Sequence, residues 1–223
     1  MPQESTYDIQ PPPDYWKRNF LEDELIIIVP IKNSSDVVEF NLKSLPDKTD
    51  ILDILRNEEP PIKTWNILAL HCQARGKKDD FLDILRGAME QAQRYPSRDV
   101  PDVAFCMDLM ANYYTIELSK DEHSEKEKKE IFAKAMRLYS NVDQLMVTSL
   151  YHLIGRAYFC LLDPEKLDQA ASQFDYVLKS FPHDYLALQG RGLMAFQKGD
   201  YKKALVSFKN ILRAHSDCSP EIR

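Results

Sequence analysis

The sequence predicts an all-α fold, a right-handed α-solenoid of stacked helix pairs with a short β-hairpin at its N-terminal side. Three observations predict it. Near the C-terminal end, Ala170, Phe174, Val177 and Leu178 recur 34 residues later as Ala204, Phe208, Ile211 and Leu212. That is the period of the tetratricopeptide (TPR) helix-turn-helix unit, which stacks on its neighbours and presents a binding surface. From Pro61 onward the apolar residues keep a helical period, broken by turn signals at steady intervals. Before that, Leu25 to Ile31 is mostly β-branched and Val37 to Leu42 roughly alternates, with Lys32, Asn33, Ser34, Ser35 and Asp36 between them as turn material.

Residues 1–24 carry Pro11, Pro12 and Pro13 among polar residues without a sustained period, so a flexible leader is expected there. Its Tyr15, Trp16 and Phe20 either pack back on the domain or anchor a partner. Residues 25–45 form the hairpin. Two strands alone are marginal in water, so the hairpin packs on helices or accepts a strand at its open edge, with Ile27 and Val37 as the candidate edge residues. Pro46 and Asp47 begin a leading helix within 46–61, which carries Ile51, Leu52, Ile54 and Leu55 and stops before Pro60 and Pro61. Helix pairs then occupy about 62–95, 103–148, 151–184 and 185–218.

In the last pair Gly199 and Asp200 form the turn, and Tyr201, Ala204 and Phe208 match the second helix of the repeat. Glycine allows the tight interhelical turn, and a small alanine where the helices cross lets them approach. The preceding pair supplies Leu167, Ala170 and Phe174, with Asp163 and Pro164 near its turn and Pro182 after its end. The first pair places Trp65, Leu68, Ala69 and Cys72 on one helix, Gly76 in the turn, and Phe81, Leu85 and Ala88 on the next; Phe81 at the usual alanine position predicts a wider crossing. The second pair has Cys106, Leu109, Met110 and Tyr113, then Phe132, Ala135, Tyr139 and Val142. The charged run from Asp121 to Glu127 between them is expected to be a solvated helix extension.

Composition excludes several functions. With 223 residues, 44% hydrophobic and 29% charged, the chain can bury a substantial core. A net charge of −6 argues against a protein that wraps nucleic acid by phosphate neutralisation. The run Leu25 to Val29 is far shorter than the roughly 20 residues of a membrane span. Cys72, Cys106, Cys160 and Cys218 are scattered without a CxxC pair, which suits reduced core thiols and a cytosolic or nuclear setting. His71, His123, His152, His183 and His215 show no metal-ligand spacing. There is no GxSxG elbow and no Walker loop, and Gln189-Gly190-Arg191-Gly192 falls short of GxGxxG and lies inside a helical repeat. Its two glycines suit close helix packing. Asp79 with Asp80, or Asp163 with Glu165, carry little weight as acid-base pairs in so acidic a helical chain. No catalytic residue, cofactor or metal is predicted.

In a stacked solenoid the first helix of each pair lines the concave face. The concave register gives Lys63, Asn66, Leu70 and Gln73, then Met107, Ala111 and Tyr114, then His152, Gly155, Phe159 and Leu162, then Leu186, Gln189, Leu193, Phe196 and Gln197. The candidate partner-binding residues are Asn66, Leu70, Met107, Tyr114, His152, Phe159, Leu162, Gln189, Leu193, Phe196 and Gln197. This set is apolar with a few amides and suits a long apolar peptide. Some of Phe159, Leu162, Leu193 and Phe196 could equally be internal packing residues.

Specific residues resemble a family, the large TPR subunit of the RNA polymerase II-associated factor (PAF) complex. They are, in order, Val37-Val38-Glu39, Leu45-Pro46, Ile51 to Leu55, Trp65 with Leu68-Ala69-Leu70, the run Leu153 to Leu162, Asp168-Gln169-Ala170 and Asp200-Tyr201. The resemblance covers about residues 26–223; the leader departs from the family's start. It implies a nuclear scaffold that supports transcription elongation and cotranscriptional histone modification. The repeat region would dock the complex's namesake subunit and meet the polymerase indirectly, through other subunits, without direct contact to nucleic acid or membrane. Because family members are longer, it also implies an N-terminal portion of a longer stack, with Ser219, Pro220 and Glu221 expected to begin a further helix.

Two rival readings stay open at this point. A substrate-selecting TPR arm of a glycosyltransferase needs concave asparagines in register, and only Asn66 qualifies. A chaperone-cofactor TPR domain needs a basic clamp for a C-terminal carboxylate, and only Lys63 and Asn66 qualify.

Overall fold

The computed structural model describes residues 26–145 and 149–214. The expectations for the leader, with Tyr15, Trp16 and Phe20, and for His215, Cys218, Ser219, Pro220 and Glu221 lie outside the described residues. The described residues form nine α-helices and one two-stranded antiparallel sheet, an all-α repeat architecture. They divide into two compact units, 26–110 and 111–214.

In the first unit, β1 (Ile26–Pro30) pairs with β2 (Val37–Asn41), with Ile27 opposite Phe40 and Val29 opposite Val38. Strand alternation sends Ile27, Val29 and Phe40 to the buried face and leaves Ile26, Ile28 and Val37 exposed. Asn33 takes the left-handed conformation the turn needs, at φ 60°. The backbone N–H of Lys32 donates to Glu58 Oε2 at 2.6 Å and its ammonium pairs with Glu59. These bonds tie the hairpin turn to the end of α1 (Lys48–Glu58). Asp47 caps α1 by accepting the Thr49 N–H, and Ile51, Leu52 and Leu55 bury its inner face against β1 and α3 (Lys78–Arg94).

The helix α2 (Ile62–Ala74) turns back into α3 through Gly76, at φ 73°. Trp65 is fully buried, and its ring occupies the space over Gly87, where a β-carbon would come within 2.5 Å. Close approach in this pair therefore falls at Gly87, while Phe81 is wholly buried at the usual alanine position. The indole N–H of Trp65 donates to Gln91 Oε1 at 3.0 Å, and Gln91 Nε2 donates to the Pro60 carbonyl at 2.6 Å. The first half of α4 (Val100–Leu118) completes the unit by burying Val103, Ala104, Phe105, Cys106 and Leu109.

In the second unit the charged run is divided: Asp121 to Ser124 form the turn, and Glu125 to Glu127 extend the second helix at its N-terminal end. The helix α4 stops at Leu118, and Ser124 and Glu127 form a reciprocal capping box that starts α5 (Glu125–Gln144). Local capping bonds win there over continuation of the helix. Then follow α6 (Leu150–Leu161), capped by Ser149, α7 (Leu167–Ser180), α8 (Tyr185–Gln197), capped by Asp184, and α9 (Tyr201–Ala214). Ile154, Ala157, Cys160 and Leu161 of α6 interlock with Ala170, Phe174 and Val177 of α7 and with Ala187 of α8. Leu188 and Ile211 form the next layer, joined by Leu178 and Phe208.

Both glycines of the Gln189-Gly190-Arg191-Gly192 segment are packing residues. A β-carbon on Gly190 would sit 2.1 Å from Phe174 Cζ, and one on Gly192 would sit 2.6 Å from Phe208 Cε1. Both echoed phenylalanines thus fit against α8, Phe174 of the helix before it at Gly190 and Phe208 of the helix after it at Gly192. Among the described residues no helix is long and apolar enough to cross a membrane.

Candidate functional site

The candidate site is a surface for a protein partner, and the two units present it differently. In the unit 26–110, Asn66 is fully buried and its Nδ2 donates to the Asp102 carbonyl at 2.9 Å. It is a structural residue, which corrects its reading as a concave ligand contact. Leu70 and Met107 are half-buried, while Lys63 and Gln73 are exposed. Ile27 is buried beneath the sheet, so of the two candidate edge residues only Val37 presents its side chain to solvent.

In the unit 111–214, three more predicted contacts are internal. Phe159 is buried, with its ring 4.8 Å from that of Phe132 and 5.4 Å from that of Tyr139. His152 is buried edge-on to Tyr139 and holds its Nε2 3.1 Å from Asp143 Oδ1, which also accepts from Arg156 Nη1 at 2.7 Å. This cluster ties α6 to α5. Tyr114 is buried with Tyr113 against its edge and the Lys134 ammonium over its ring. The physical reason is shared: the register puts these side chains on an inward-turned face, and aromatic residues of α4 and α5 cover that face.

The last helix pair is open. Leu193, Phe196 and Gln197 are exposed on α8, together with Leu186, and Gln189 is half-buried beside them. Their spacing places them on one helical face. Gln189 is held in place by Tyr158, whose hydroxyl donates to the Leu186 carbonyl at 2.9 Å and lies 3.3 Å from Gln189 Oε1. Burial pushes the Tyr158 hydroxyl pKa well above its usual value, so it stays a neutral donor. Phe196 packs edge-on to Tyr201 across the turn at 5.4 Å. The strip carries no charge; Arg191, the one charged residue of α8, pairs with Asp175 at 3.4 Å.

Sequence reading missed several exposed apolar residues: Tyr201, Leu205, Val206 and Leu212 on α9, and Ile116 and Met136 on α4 and α5. On α9 the signal was present, because Tyr201, Leu205 and Leu212 share one face at helical spacing.

Cys72, Cys106 and Cys160 are buried free thiols. Burial pushes the Cys72 pKa up to about 11, with the Asp80 charge adding to it, and burial raises Cys106 and Cys160 as well. Among the described residues no group of His, Cys, Asp or Glu could hold a metal ion.

Helix pairs of this period, with an apolar face open on α8, define a TPR-type repeat protein. Comparison with known proteins gives the particular kind: the chain is CTR9-like. It is 31% identical over 199 residues to "RNA polymerase-associated protein CTR9" of Caenorhabditis elegans, an alignment covering 86% of this chain and 17% of that protein. It is 29% identical to "Protein CTR9 homolog" of Arabidopsis thaliana, over 88% of this chain and 18% of that one. It is 27% identical to "Tetratricopeptide repeat protein 1" of Schizosaccharomyces pombe, over 89% of this chain and 19% of that one. The chain thus spans less than a fifth of the length of the relatives it matches. No protein-family model matches it.

Proposed function

We propose that this chain is a non-enzymatic TPR scaffold that holds the namesake subunit of the PAF complex, and that it acts in the nucleus to support RNA polymerase II elongation and cotranscriptional histone modification. The likeness to CTR9, the TPR subunit of that complex, supports the scaffold role. The observation that carries the binding reading is the uncharged strip of Leu186, Leu193 and Phe196 on α8, with amides of Gln189 and Gln197 beside it. Such a strip takes an apolar segment, with the amides left to bond its backbone. The rival readings lose their residue: a glycosyltransferase arm or a carboxylate clamp needs a free Asn66, and Asn66 is buried with its amide bonded to Asp102.

The test is capture of the purified namesake subunit by Phe196→Ala and Leu193→Ala variants whose helical circular dichroism is unchanged. Each loses about 1 to 3 kcal/mol of binding if it is an anchor. Wild-type affinity in both overturns the reading. Phe159→Ala is unsuitable, because removing a buried aromatic costs about 3 to 5 kcal/mol of stability and lost capture would report unfolding. Val37→Lys tests the hairpin edge separately, and retained capture confines the interface to the helices.

A further inference from the structure

A second surface in the unit 111–214 has a different chemistry from the strip on α8. At the turn end of α4, α5 and α6, a shallow cleft of about 360 Å³ is lined by Leu118, Lys128, Lys129, Phe132 and Leu162. Its floor is apolar and firmly backed: Phe132 rests on the buried Phe159, and Leu162, at the C-cap of α6, is 41% exposed. Its rim is basic. Lys128 and Lys129 project from the first turns of α5, and the Lys166 ammonium, which pairs with Asp163 at 3.1 Å, lies over the Phe132 ring at 5.2 Å. No carboxylate is among the lining residues. Lys129 is exposed and makes no ion pair among the described residues, while Lys128 reaches Glu125 only at 4.0 Å. Lys129 and the loosely paired Lys128, set beside an apolar floor, leave a local positive field over a surface that water hydrates poorly.

We infer that this cleft docks an acidic peptide segment of a partner protein, seating one bulky apolar side chain on Phe132 and Leu162 while flanking aspartates or glutamates meet Lys128 and Lys129. Charge complementarity selects this occupant. A basic segment would be repelled, and a purely apolar one would leave the lysines with less solvent and no counter-charge. The capping box explains why the sequence can build the rim: by ending α4 and restarting α5 at Glu125, it sets both lysines at the mouth of the cleft beside Leu118. This inference does not rest on the α8 strip, and none of its residues lies on α8.

The probe is a short fluorescein-labelled synthetic peptide of aspartate and glutamate around a single phenylalanine, titrated with the full chain by fluorescence anisotropy. Binding should weaken about tenfold when salt is raised from about 50 to about 500 mM, since rim charges are screened. The Lys128→Glu/Lys129→Glu variant should weaken it about tenfold, and Leu162→Glu comparably. Replacing the peptide's phenylalanine with alanine should abolish measurable binding, and Phe196→Ala on α8 should leave it unchanged. The inference is overturned if the alanine peptide or a single-stranded RNA of equal charge binds as well, since the cleft would then be a general polyanion surface. It is equally overturned if the folded lysine variant binds normally or the phenylalanine peptide does not bind. Should Leu162→Glu unfold the unit, the lysine variant decides alone.

Discussion

Replacing Gly190 with alanine should destabilise the unit 111–214, although alanine is the better helix former. Placed on α8, the new β-carbon would lie 2.1, 2.4 and 2.6 Å from three atoms of the Phe174 ring, well inside the 3.4 Å at which ordinary contact begins. The ring has little room to yield. It is fully buried, and Tyr158 stands edge-on against it at 5.4 Å, itself anchored to the Leu186 carbonyl. Exchanging glycine for alanine in a helix gains about 1 kcal/mol, while forcing a methyl group into a packed core costs about 1 to 3 kcal/mol. With three ring atoms overlapped, the cost belongs at the upper end, leaving a net loss of about 2 kcal/mol. For a unit of this size that lowers the melting temperature by about 10 °C. Urea unfolding followed by far-ultraviolet circular dichroism measures the loss, and hydrogen exchange read by mass spectrometry should localise it to α7 and α8. A double-mutant cycle with Phe174→Leu, which removes the clashing ring edge, should return about 1 kcal/mol of coupling. An unchanged or raised midpoint for Gly190→Ala, or strict additivity in the cycle, would refute the close approach of α8 to Phe174.

Two further outcomes are expected. Gln91→Leu should cost the unit 26–110 about 2 to 4 kcal/mol, because it leaves both the Trp65 indole N–H and the Pro60 carbonyl buried without their bonds; chemical unfolding measures this, and a loss below about 0.5 kcal/mol would show that water replaces the amide. Asp83 is held below the usual carboxylate pKa chiefly by its hydrogen bond from Lys48, 2.8 Å away, which joins α1 to α3. A depressed folded pKa stabilises above the unfolded value and is lost as pH falls through the folded one, so Lys48→Met should be less stable than wild type at neutral pH and converge with it below the carboxylate range. A gap that stays constant down to about pH 2 would count against the pair.

The period of 34 residues made the last two helix pairs legible because the repeated positions are steric: Ala170 and Ala204 are buried at helix crossings, and Val177 and Ile211 fill the layer beneath. The hairpin was legible from alternation, and alternation could also have shown that Ile27 shares a face with Val29 and so points inward. The start of α5 was less so, since a charged run suits both a helix and a turn until Ser124 is seen bonding back to Glu127.

The surface is where local pattern gave out. Phe159 and Leu193 are 34 residues apart and hold the same register position, as do His152 and Leu186. By themselves these residues fix a helix face and a period, and with them a TPR-type stack. Tertiary structure decides which copy of that face is covered. Phe132 and Tyr139 of α5 close over Phe159 and His152, whereas α7 offers Leu167 and Phe174 at the matching places, both drawn into the core, Phe174 against Gly190. Leu193 and Leu186 are left open. Periodicity describes one helix, but burial depends on the side chains its neighbour brings, and those side chains do not repeat.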